Sequence, residues 1–379
     1  MVVQYKCPNC GADMRFDATT GLLKCDACGN TMKIEDMPHI ETEDESDGKE
    51  DAPEVNPFGE EDIKDEGGAA NEIPSDPNSG EAHFTEADAE NTVVYKCKNC
   101  GAEVVTTKDT AATVCSFCGA PVVIGERVTG ALQPKYVIPF KITKQEAQEK
   151  FKKWCGHGLI TPRGFMNGDR IKNITGLYVP YWLYDVNSKG YADATCTRVK
   201  TYTRGNYRYT ETSYFHVYRG FNMQYAKVPV DASERMNDEL MDKAEPYNYA
   251  DIKDFNAPYL AGYLAEKYDY KAEDLANRLN AKVSKYVNEF VAKQFTGYHS
   301  VRYNSRNIDN VRQNEYYAML PVWMVSYDYK NNEHMFIMNA QTGKVVGKPP
   351  ISKAKTVAWF LGTSGIAFAI MRLLTMILT

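Results

Sequence analysis

The spacing of apolar residues predicts four helices in the part of the chain after residue 135. The longest is 272–295, where apolar side chains recur every three or four residues along one face. Another covers 144–155, with Thr143 as its N-cap and Glu146 placed to complete a capping box. The two shorter predicted helices are 232–244 and 257–267.

Two other regions alternate apolar and polar residues and are rich in Tyr, Thr and Val, a pattern that predicts antiparallel β-strands. They cover 177–229 and 316–347. Clusters of Asn, Ser, Gly and Lys interrupt the alternation and predict turns at 187–190, 204–206 and 341–344.

A short motif occurs once in each strand region. Residues 179–182 (VPYW) align with residues 320–323 (LPVW), and each copy follows a predicted helix and leads into a predicted hairpin. Two interpretations are open, namely duplication of one helix-on-antiparallel-sheet unit, or two unrelated strands that begin alike. The matching order of helix and hairpin favours duplication.

The last 24 residues, 356–379, carry a single charge, on Arg372. As a helix they would extend about 36 Å, which exceeds the hydrocarbon core of a bilayer, about 30 Å. Lys348, Lys353 and Lys355 lie just before this segment, so the positive-inside rule places the N-terminal bulk of the chain in the cytoplasm. The alternative is a buried helix of a soluble protein. The uniformly apolar composition favours a single-pass tail anchor in the cytoplasmic membrane.

Eight of the ten cysteines form four CxxC pairs, and these pairs make two copies of one pattern with 14 residues between the pairs. A glycine follows every pair, as in a zinc knuckle, where the backbone turns tightly. Four thiolates at this spacing complete a tetrahedron around one metal ion, so we predict two structural zinc sites. Rubredoxin-type single-iron sites are the alternative, because both metals accept four thiolates. The predicted ligands are Cys7, Cys10, Cys25 and Cys28 in the first site, and Cys97, Cys100, Cys115 and Cys118 in the second.

These ligand sets argue against catalysis, because four cysteines leave no open position for water or substrate. The sequence contains no GxxxxGK[ST] phosphate loop, no GxSxG elbow and no HExxH helix, and its six histidines are isolated in sequence. Cys155 and Cys196 remain unpaired, and we expect Cys155 to be a partly buried thiol near a helix end. We therefore expect a non-enzyme, in a reducing compartment where paired cysteines bind metal and do not form disulfides.

The net charge of −6 hides a strong asymmetry. Residues 41–90 carry 19 acidic side chains against two lysines, a net charge of −17, whereas residues 91–379 carry +12. Self-repulsion and a lack of apolar residues predict that this acidic stretch is a disordered linker. Its expected role is spacing, with an acidic binding segment as the alternative. Such a linker would let the first ribbon engage a partner apart from the body.

Together these patterns predict an α+β protein with two small four-cysteine zinc ribbons, an acidic disordered linker, a duplicated helix-on-antiparallel-sheet body and a C-terminal transmembrane helix. The predicted boundaries are 1–36 for the first ribbon, 37–91 for the linker, 92–127 for the second ribbon, 128–350 for the body with its two related helix and hairpin repeats, and 356–379 for the tail.

The second cysteine set is followed along the chain by motifs at 177–182, 257–263, 320–323 and 338–347. In these features the chain resembles a bacterial family of TFIIB-type zinc-ribbon proteins with a C-terminal membrane segment, often labelled primosomal helicase-like. The resemblance covers about residues 92–360, whereas the first ribbon and the acidic linker depart from it. The run at 338–347 also resembles the end of a PepSY-type module. Without a phosphate loop the helicase label does not fit this sequence.

Two functions are compatible with these features. The first is a membrane-tethered adaptor that binds other proteins at the cytoplasmic membrane face. The second is a zinc-ribbon nucleic-acid-binding protein, related to replication or transcription, with basic and aromatic residues at 202–209 to stack bases and neutralise phosphates. The acidic stretch and the membrane anchor would repel a polyanion, so we favour the adaptor.

Overall fold

A computed structural model describes residues 2–37, 92–156, 160–162, 174–329 and 332–378. The predicted acidic linker, 37–91, lies outside these ranges apart from Met37. The described chain is a mixed α+β fold, as predicted. Its helices are α1 (Lys144–Gly156), α2 (Asp238–Ala244), α3 (Ala276–Lys293) and α4 (Lys353–Leu378), with 3-10 turns at Ile34–Asp36, Gly125–Arg127, Gly130–Leu132, Tyr249–Asp251 and Ala257–Leu260. Its strands are β1 (Val2–Val3), β2 (Met14–Asp17), β3 (Leu22–Cys25), β4 (Thr31–Met32), β5 (Thr92–Lys96), β6 (Glu103–Thr107), β7 (Thr110–Val114), β8 (Pro121–Ile124), β9 (Tyr136–Val137), β10 (Thr175–Arg204), β11 (Tyr207–Asp231), β12 (Lys253–Asp254), β13 (Leu264–Glu266), β14 (Ser300–Tyr329), β15 (Asn332–Asn339) and β16 (Val345–Gly347).

Three long strands dominate the main sheet. β10 lies in the middle, with β11 antiparallel on one side and β14 antiparallel on the other. A tight turn at Gly205 and Asn206 joins β10 to β11, where Gly205 has a φ of 64° that suits glycine. These strands extend well past the rest of the sheet, and we call residues 184–228 with 300–315 the arm.

Helix α3 covers one face of the arm. The helix has the predicted apolar face and begins and ends within the predicted range of 272–295. Each fully buried aliphatic side chain at this contact is worth about 1.5–3 kcal/mol relative to an exposed one. The opposite face of the arm has no covering element among the described residues. The buried residues of the contact are Leu279, Val283, Val287 and Val291 on the helix and Val186, Ala192, Ala194 and Cys196 on β10.

The predicted capping box at the start of α1 is confirmed. The backbone amide of Thr143 donates to Glu146 Oε2 at 2.8 Å, and the backbone amide of Glu146 donates to Thr143 Oγ1 at 3.3 Å. The backbone amides of Thr143 and Glu146, which lack partners within the helix, are therefore satisfied by side chains.

The turn predicted at 187–190 is wrong, because β10 continues through it and pairs with both neighbours. Gly190 has a different role at this position. A Cβ atom here would lie 2.2 Å from the backbone oxygen of Asn307 on β14, so only glycine permits this close approach of the two strands.

The helix predicted at 257–267 is also wrong. This region is a 3-10 turn, Ala257–Leu260, followed by the short strand β13. The predicted helix at 232–244 is shorter than expected and begins after Asn237, whose side-chain oxygen accepts from the backbone amide of Leu240 at 3.1 Å. An N-cap of this kind fixes the start of the helix, which apolar spacing alone does not.

The two copies of the sequence motif lie side by side in the sheet. Val179 on β10 is directly opposite Leu320 on β14, and the strands run antiparallel. The short parallel neighbours match as well, since β13 pairs with β10 at Leu177 and β9 pairs with β14 at Ala318. The two motifs therefore occupy corresponding positions, each on a long strand with a short parallel strand beside it.

The tryptophans of the two motifs make corresponding hydrogen bonds. Trp182 Nε1 donates to the backbone oxygen of Tyr270, and Trp323 Nε1 donates to that of Ile142, both at 2.9 Å. Tyr270 lies before α3, the helix that precedes β14, and Ile142 lies before α1, the helix that precedes β10. Each indole group therefore links its own strand to the segment that leads into the helix before the other strand.

Helix α4 leaves the fold at the opposite end from the arm. It follows β16, which pairs with β15 at the edge of the sheet, and its first turn is fixed by Lys355 Nζ donating to Thr161 O at 2.7 Å. The segment Lys353–Met376 has the length and apolar composition of a membrane span, and none of its most apolar window is buried in the protein. The structure thus contains a candidate membrane-spanning helix at the predicted place.

We expect both indole hydrogen bonds to contribute to stability, the buried one more. Trp323→Phe leaves the buried Ile142 carbonyl without its donor and should lower the free energy of unfolding by about 1–3 kcal/mol. Trp182→Phe should have a smaller effect, because water can reach the exposed bond to Tyr270 and replace the donor. Denaturant unfolding of detergent-solubilised protein, followed by circular dichroism, measures both. Trp359→Phe, at a side chain 47% exposed, is the control and should change little, whereas wild-type stability of Trp323→Phe would contradict this account.

Candidate metal centres

All four CxxC pairs adopt the same backbone knuckle. In the first, the amide of Cys7 donates to Ala12 O and the amide of Gly11 donates to Cys7 O, both at 2.8 Å. The other three pairs repeat these two bonds at 2.8–2.9 Å. The glycine after each pair has a positive φ, between 71° and 75°, which a side chain would disfavour. The sequence pattern therefore corresponds to four equivalent turns that direct their thiols inward.

The eight predicted ligands form two separate groups, as the spacing implied. Within each group the four sulfur atoms lie within 4.8 Å of one another. Sulfur–sulfur separations are 3.6 Å for Cys7–Cys28 and 3.8 Å for Cys97–Cys118. A tetrahedron with metal–sulfur bonds of about 2.3 Å has sulfur–sulfur edges of about 3.8 Å. Both groups therefore have the size and ligand chemistry of a four-thiolate metal site.

The electrostatics of the second group favour a bound cation. Hydrogen bonds from the Asn99 side chain and the Ala120 backbone lower the pKa of Cys118 to about 6. At Cys100 the backbone amide of Ala102 lowers the pKa, but the neighbouring thiols outweigh it and raise the pKa to about 12. The four thiols cannot all ionise together without a positive charge at their centre. A divalent metal ion would supply that charge.

Side-chain amides form an outer shell around the sulfurs. Asn30 Nδ2 lies 3.6 Å from Cys7 Sγ, and Asn99 Nδ2 lies 3.6 Å from Cys118 Sγ. Gln4 Nε2, from the first ribbon, lies 3.6 Å from Cys97 Sγ in the second site. These residues were not predicted. The Asn at 9 and 99 recurs between the cysteines of both copies, which was a usable signal, whereas nothing in the sequence marks Gln4.

The two ribbons pack against each other. β1 of the first ribbon pairs with β8 of the second, so that Val2 lies opposite Ile124. Lys6 Nζ donates to Asn99 Oδ1 at 3.0 Å, and the guanidinium of Arg15 donates to the backbone oxygen of Gly119. Residues of the first ribbon thus contact both the ligand loops and the edge strand of the second.

The first ribbon also packs on the body. Phe16 donates its backbone amide to Ala261 O at 3.0 Å, and its ring lies 5.4 Å from that of Tyr259. Its buried side chains belong to the same hydrophobic cluster as Phe140 and Trp323 of the body. The expectation that this ribbon acts apart from the body therefore differs from the structure, in which it is an integral part of the core.

The remaining cysteines lie elsewhere. Cys155 is buried on α1, where burial raises its pKa to about 11, and Cys196 is buried beneath α3. Among the described residues, the two cysteine groups are the sets of His, Cys, Asp and Glu close enough to hold a metal ion. His216, one of the isolated histidines, lies 2.8 Å from Asp193 Oδ1 on the open face of the arm.

Comparison with known proteins places the chain in a family. It is 46% identical to the uncharacterized protein YdjG of Bacillus subtilis (strain 168) over 378 residues, which is 100% of this chain and 99% of YdjG. The chain belongs to the YdjG family. No protein-family model matches it, and no solved structure matches it. The YdjG relationship extends over both cysteine groups, the body and the candidate membrane helix.

We expect each cysteine group to bind one metal ion independently of other thiols. Replacing Cys100 and Cys118 by serine should lower the bound metal from two ions per chain to one, since two hydroxyls replace thiolates in a closed site. Elemental analysis of anaerobically purified protein gives this ratio. Cys155→Ala is the matched control and should keep both ions. An unchanged metal content in the double variant would contradict the assignment.

Proposed function

We propose that the protein is a membrane-tethered zinc-ribbon scaffold that binds other proteins at the cytoplasmic membrane face and has no catalytic turnover. The observation that supports this most is the arm, a stiff three-stranded sheet backed by α3 on one face and open on the other. The four-thiolate sites stabilise the part of the fold that carries the arm. The side chains on the open face of the arm are better suited to binding a partner than to catalysing a reaction.

The metal in this proposal is zinc, two ions per chain. Zinc has no redox chemistry and accepts four thiolates in a tetrahedron of the observed size. The outer-shell amides would disperse the negative charge of the thiolate sulfurs by hydrogen bonding to them. Iron in the protein purified from native cells would contradict zinc and indicate rubredoxin-type sites.

The proposed membrane anchor is α4. Lys348, Lys353 and Lys355 precede the apolar segment and would lie at the cytoplasmic surface. Trp359 is then at the depth of the interface, and Arg372 near the other end would extend its guanidinium toward the far headgroups. This orientation leaves both ribbons, the body and the arm in the cytoplasm.

Deleting residues 356–379 tests the anchor. The truncated chain should move from the membrane fraction to the soluble fraction, because the body buries its apolar residues without α4, whose side chains are exposed. Fractionation of cells, followed by immunoblotting, measures this. Full-length protein that is already soluble after lysis without detergent would show that α4 is not an anchor.

The open face of the arm resembles protein-recognition surfaces in composition. Tyr191 and Tyr218 stack with ring centroids 5.5 Å apart, and Tyr214 is 73% exposed. Beside them Asp193 accepts hydrogen bonds from His216 and from Asn304 Nδ2, the latter at 2.9 Å. Exposed tyrosines held by neighbouring polar groups provide large, rigid contact area at low entropic cost. This face is the proposed partner-binding surface.

The body in this proposal arose by duplication of one helix-and-hairpin unit. Corresponding residues make corresponding bonds in the two halves, since the amide of Ala232 donates to Pro180 O and that of Ala340 donates to Pro321 O. The hairpin lengths differ, because β10 and β11 extend into the arm and β15 is short. The resemblance of residues 92–360 to TFIIB-type zinc-ribbon proteins, and of the run at 338–347 to the end of a PepSY-type module, is a separate part of this proposal.

Nucleic-acid binding is the second candidate, and the end of the arm favours it. Residues 198–213 form a two-stranded ribbon that extends past Ser300, the first residue of β14, by about 24 Å. Four basic residues and one acidic residue give this ribbon a net charge of +3. Tyr202 and Tyr209 stack on it, 5.5 Å apart. A basic two-stranded ribbon with exposed aromatic rings fits a nucleic-acid groove or single strand.

Two measurements separate the two candidate functions. A photocrosslinker placed at Tyr214, on the open face, should capture protein in native membranes, and the yield should fall when Tyr218→Ala removes the stacked ring. The control is the same crosslinker at Phe290 on α3, on the opposite face. The chain without residues 356–379 binding single-stranded DNA or RNA in the nanomolar range at physiological salt, with that binding lost in the Arg204→Ala, Arg208→Ala double variant, would instead support the nucleic-acid candidate.

A further inference from the structure

Two β-bulges lie at the same level of the arm, on either side of the central strand. On the β11 side the register shifts between Tyr184 and Val186 of β10, so Ala226 and Lys227 of β11 together oppose Asp185. On the β14 side the register shifts between Asp185 and Val186, so Gln313 is an extra residue of β14. Each bulge interrupts the ladder, because the extra residue has no residue opposite it on the neighbouring strand. Two bulges facing one another across a strand open the sheet at this point.

A cavity of about 340 Å³ occupies the opening. This volume is at the lower end of the range found for small-molecule sites, about 300–1,000 Å³. Ala226 and Gln313 of the two bulges line it, and its polar side chains are four amides, including that of Gln313, and one carboxylate. The polar side chains that line it are Asp185, Asn187, Gln224, Gln313 and Asn314.

The backbone beside the cavity is strained. Lys227, directly after Ala226, has a φ of 54°, and it is the one non-glycine residue with a positive φ in the described part of the chain. Its amide donates to Asp185 Oδ1 at 3.0 Å, which holds the conformation in place. Strain of this kind costs on the order of 1–3 kcal/mol and concentrates at sites that bind ligands. The bulge is therefore a maintained feature of this sheet.

One polar atom beside the cavity lacks a partner. Asn187 Oδ1 is buried, and no donor reaches it from the part of the chain that the structure describes. An unsatisfied buried carbonyl is costly, and a turn of the Asn187 side chain toward the cavity would give it a donor from water or a ligand. By contrast, both oxygens of Asp185 already accept hydrogen bonds, from the Lys227 amide and from Asn314 Nδ2 at 3.4 Å.

The lining selects the charge and chemistry of a ligand. Among the described residues that line the cavity, Asp185 alone carries a formal charge, and its bonds already offset that charge. An anion would meet the carboxylate, and a cation would find one ligand that is already engaged. Side-chain amides both donate and accept, which matches hydroxyl groups that do the same. A neutral molecule with several hydroxyl groups fits these requirements.

We propose that the cavity at the paired bulges is a binding site for a neutral polyhydroxylated ligand of the sugar class, held by the side-chain amides of Asn187, Gln224 and Gln313. The ligand donates a hydroxyl hydrogen to Asn187 Oδ1 when that side chain turns toward the cavity. The site lies at the base of the open face of the arm, on the side away from α3. It is independent of the metal centres and does not require the scaffold function.

Binding of defined sugars to the full-length protein tests this proposal. The protein is kept in a zwitterionic detergent, because the headgroup of a glycoside detergent would compete for the site. Glucose, N-acetylglucosamine and inositol are titrated and followed by ligand-observed NMR. At least one should bind saturably, and the Gln224→Ala, Gln313→Ala double variant should weaken that binding at least about tenfold through the loss of two hydrogen bonds. Both glutamines are exposed, so the variant should fold normally.

The matched control is Gln294→Ala, an exposed amide at the end of α3, which should leave sugar binding unchanged. The proposal is overturned if none of the three probes binds the wild type, which would leave a water-filled opening. It is also overturned if the double variant binds as tightly as the wild type. Tighter binding of glucose 6-phosphate than of glucose would contradict the neutral-ligand assignment.

Discussion

Strands β10 and β14 run antiparallel from Thr175, opposite Met324, to Thr197, opposite Ser300. A short parallel strand pairs with each of them, β13 with β10 and β9 with β14. A change of register by one residue would turn Trp182 and Trp323 to the wrong face and separate both indoles from their carbonyl acceptors. The positions of α1, α3 and the second ribbon all depend on this single pairing, since they follow or adjoin the strands attached to it.

The metal centres depend on the same core and are not appended modules. Small four-cysteine ribbons have little apolar interior of their own, and a metal ion compensates for that in isolation. Here the first ribbon adds Met14, Phe16 and Leu23 to the hydrophobic cluster that contains Phe140 and Trp323. Loss of its metal would therefore expose part of the body as well as the ribbon.

Local chemistry was predictable from the sequence, and long-range contact was not. The CxxC spacing with its glycines identified all eight thiols of the two groups, and the box at Thr143 and Glu146 identified the start of α1. Gly190 was taken for a turn because a glycine beside Asn and Ser resembles one, whereas its role is to admit Asn307 O from a strand more than a hundred residues later. The same limit applies to Gln4 and to the paired bulges, because each arises only when distant segments meet.

The pairing of β1 with β8 separates two events in the synthesis of the chain. All four ligands of the first site are complete once residue 28 has been made, so this ribbon has its metal-binding residues long before its neighbours exist. Its burial requires Ile124 for the strand pairing and Ala261 for the contact with Phe16. During translation there is therefore an interval in which the complete four-cysteine group exists without the segments that cover its apolar side chains, and a chaperone or another nascent chain then has access to a surface that the finished protein conceals.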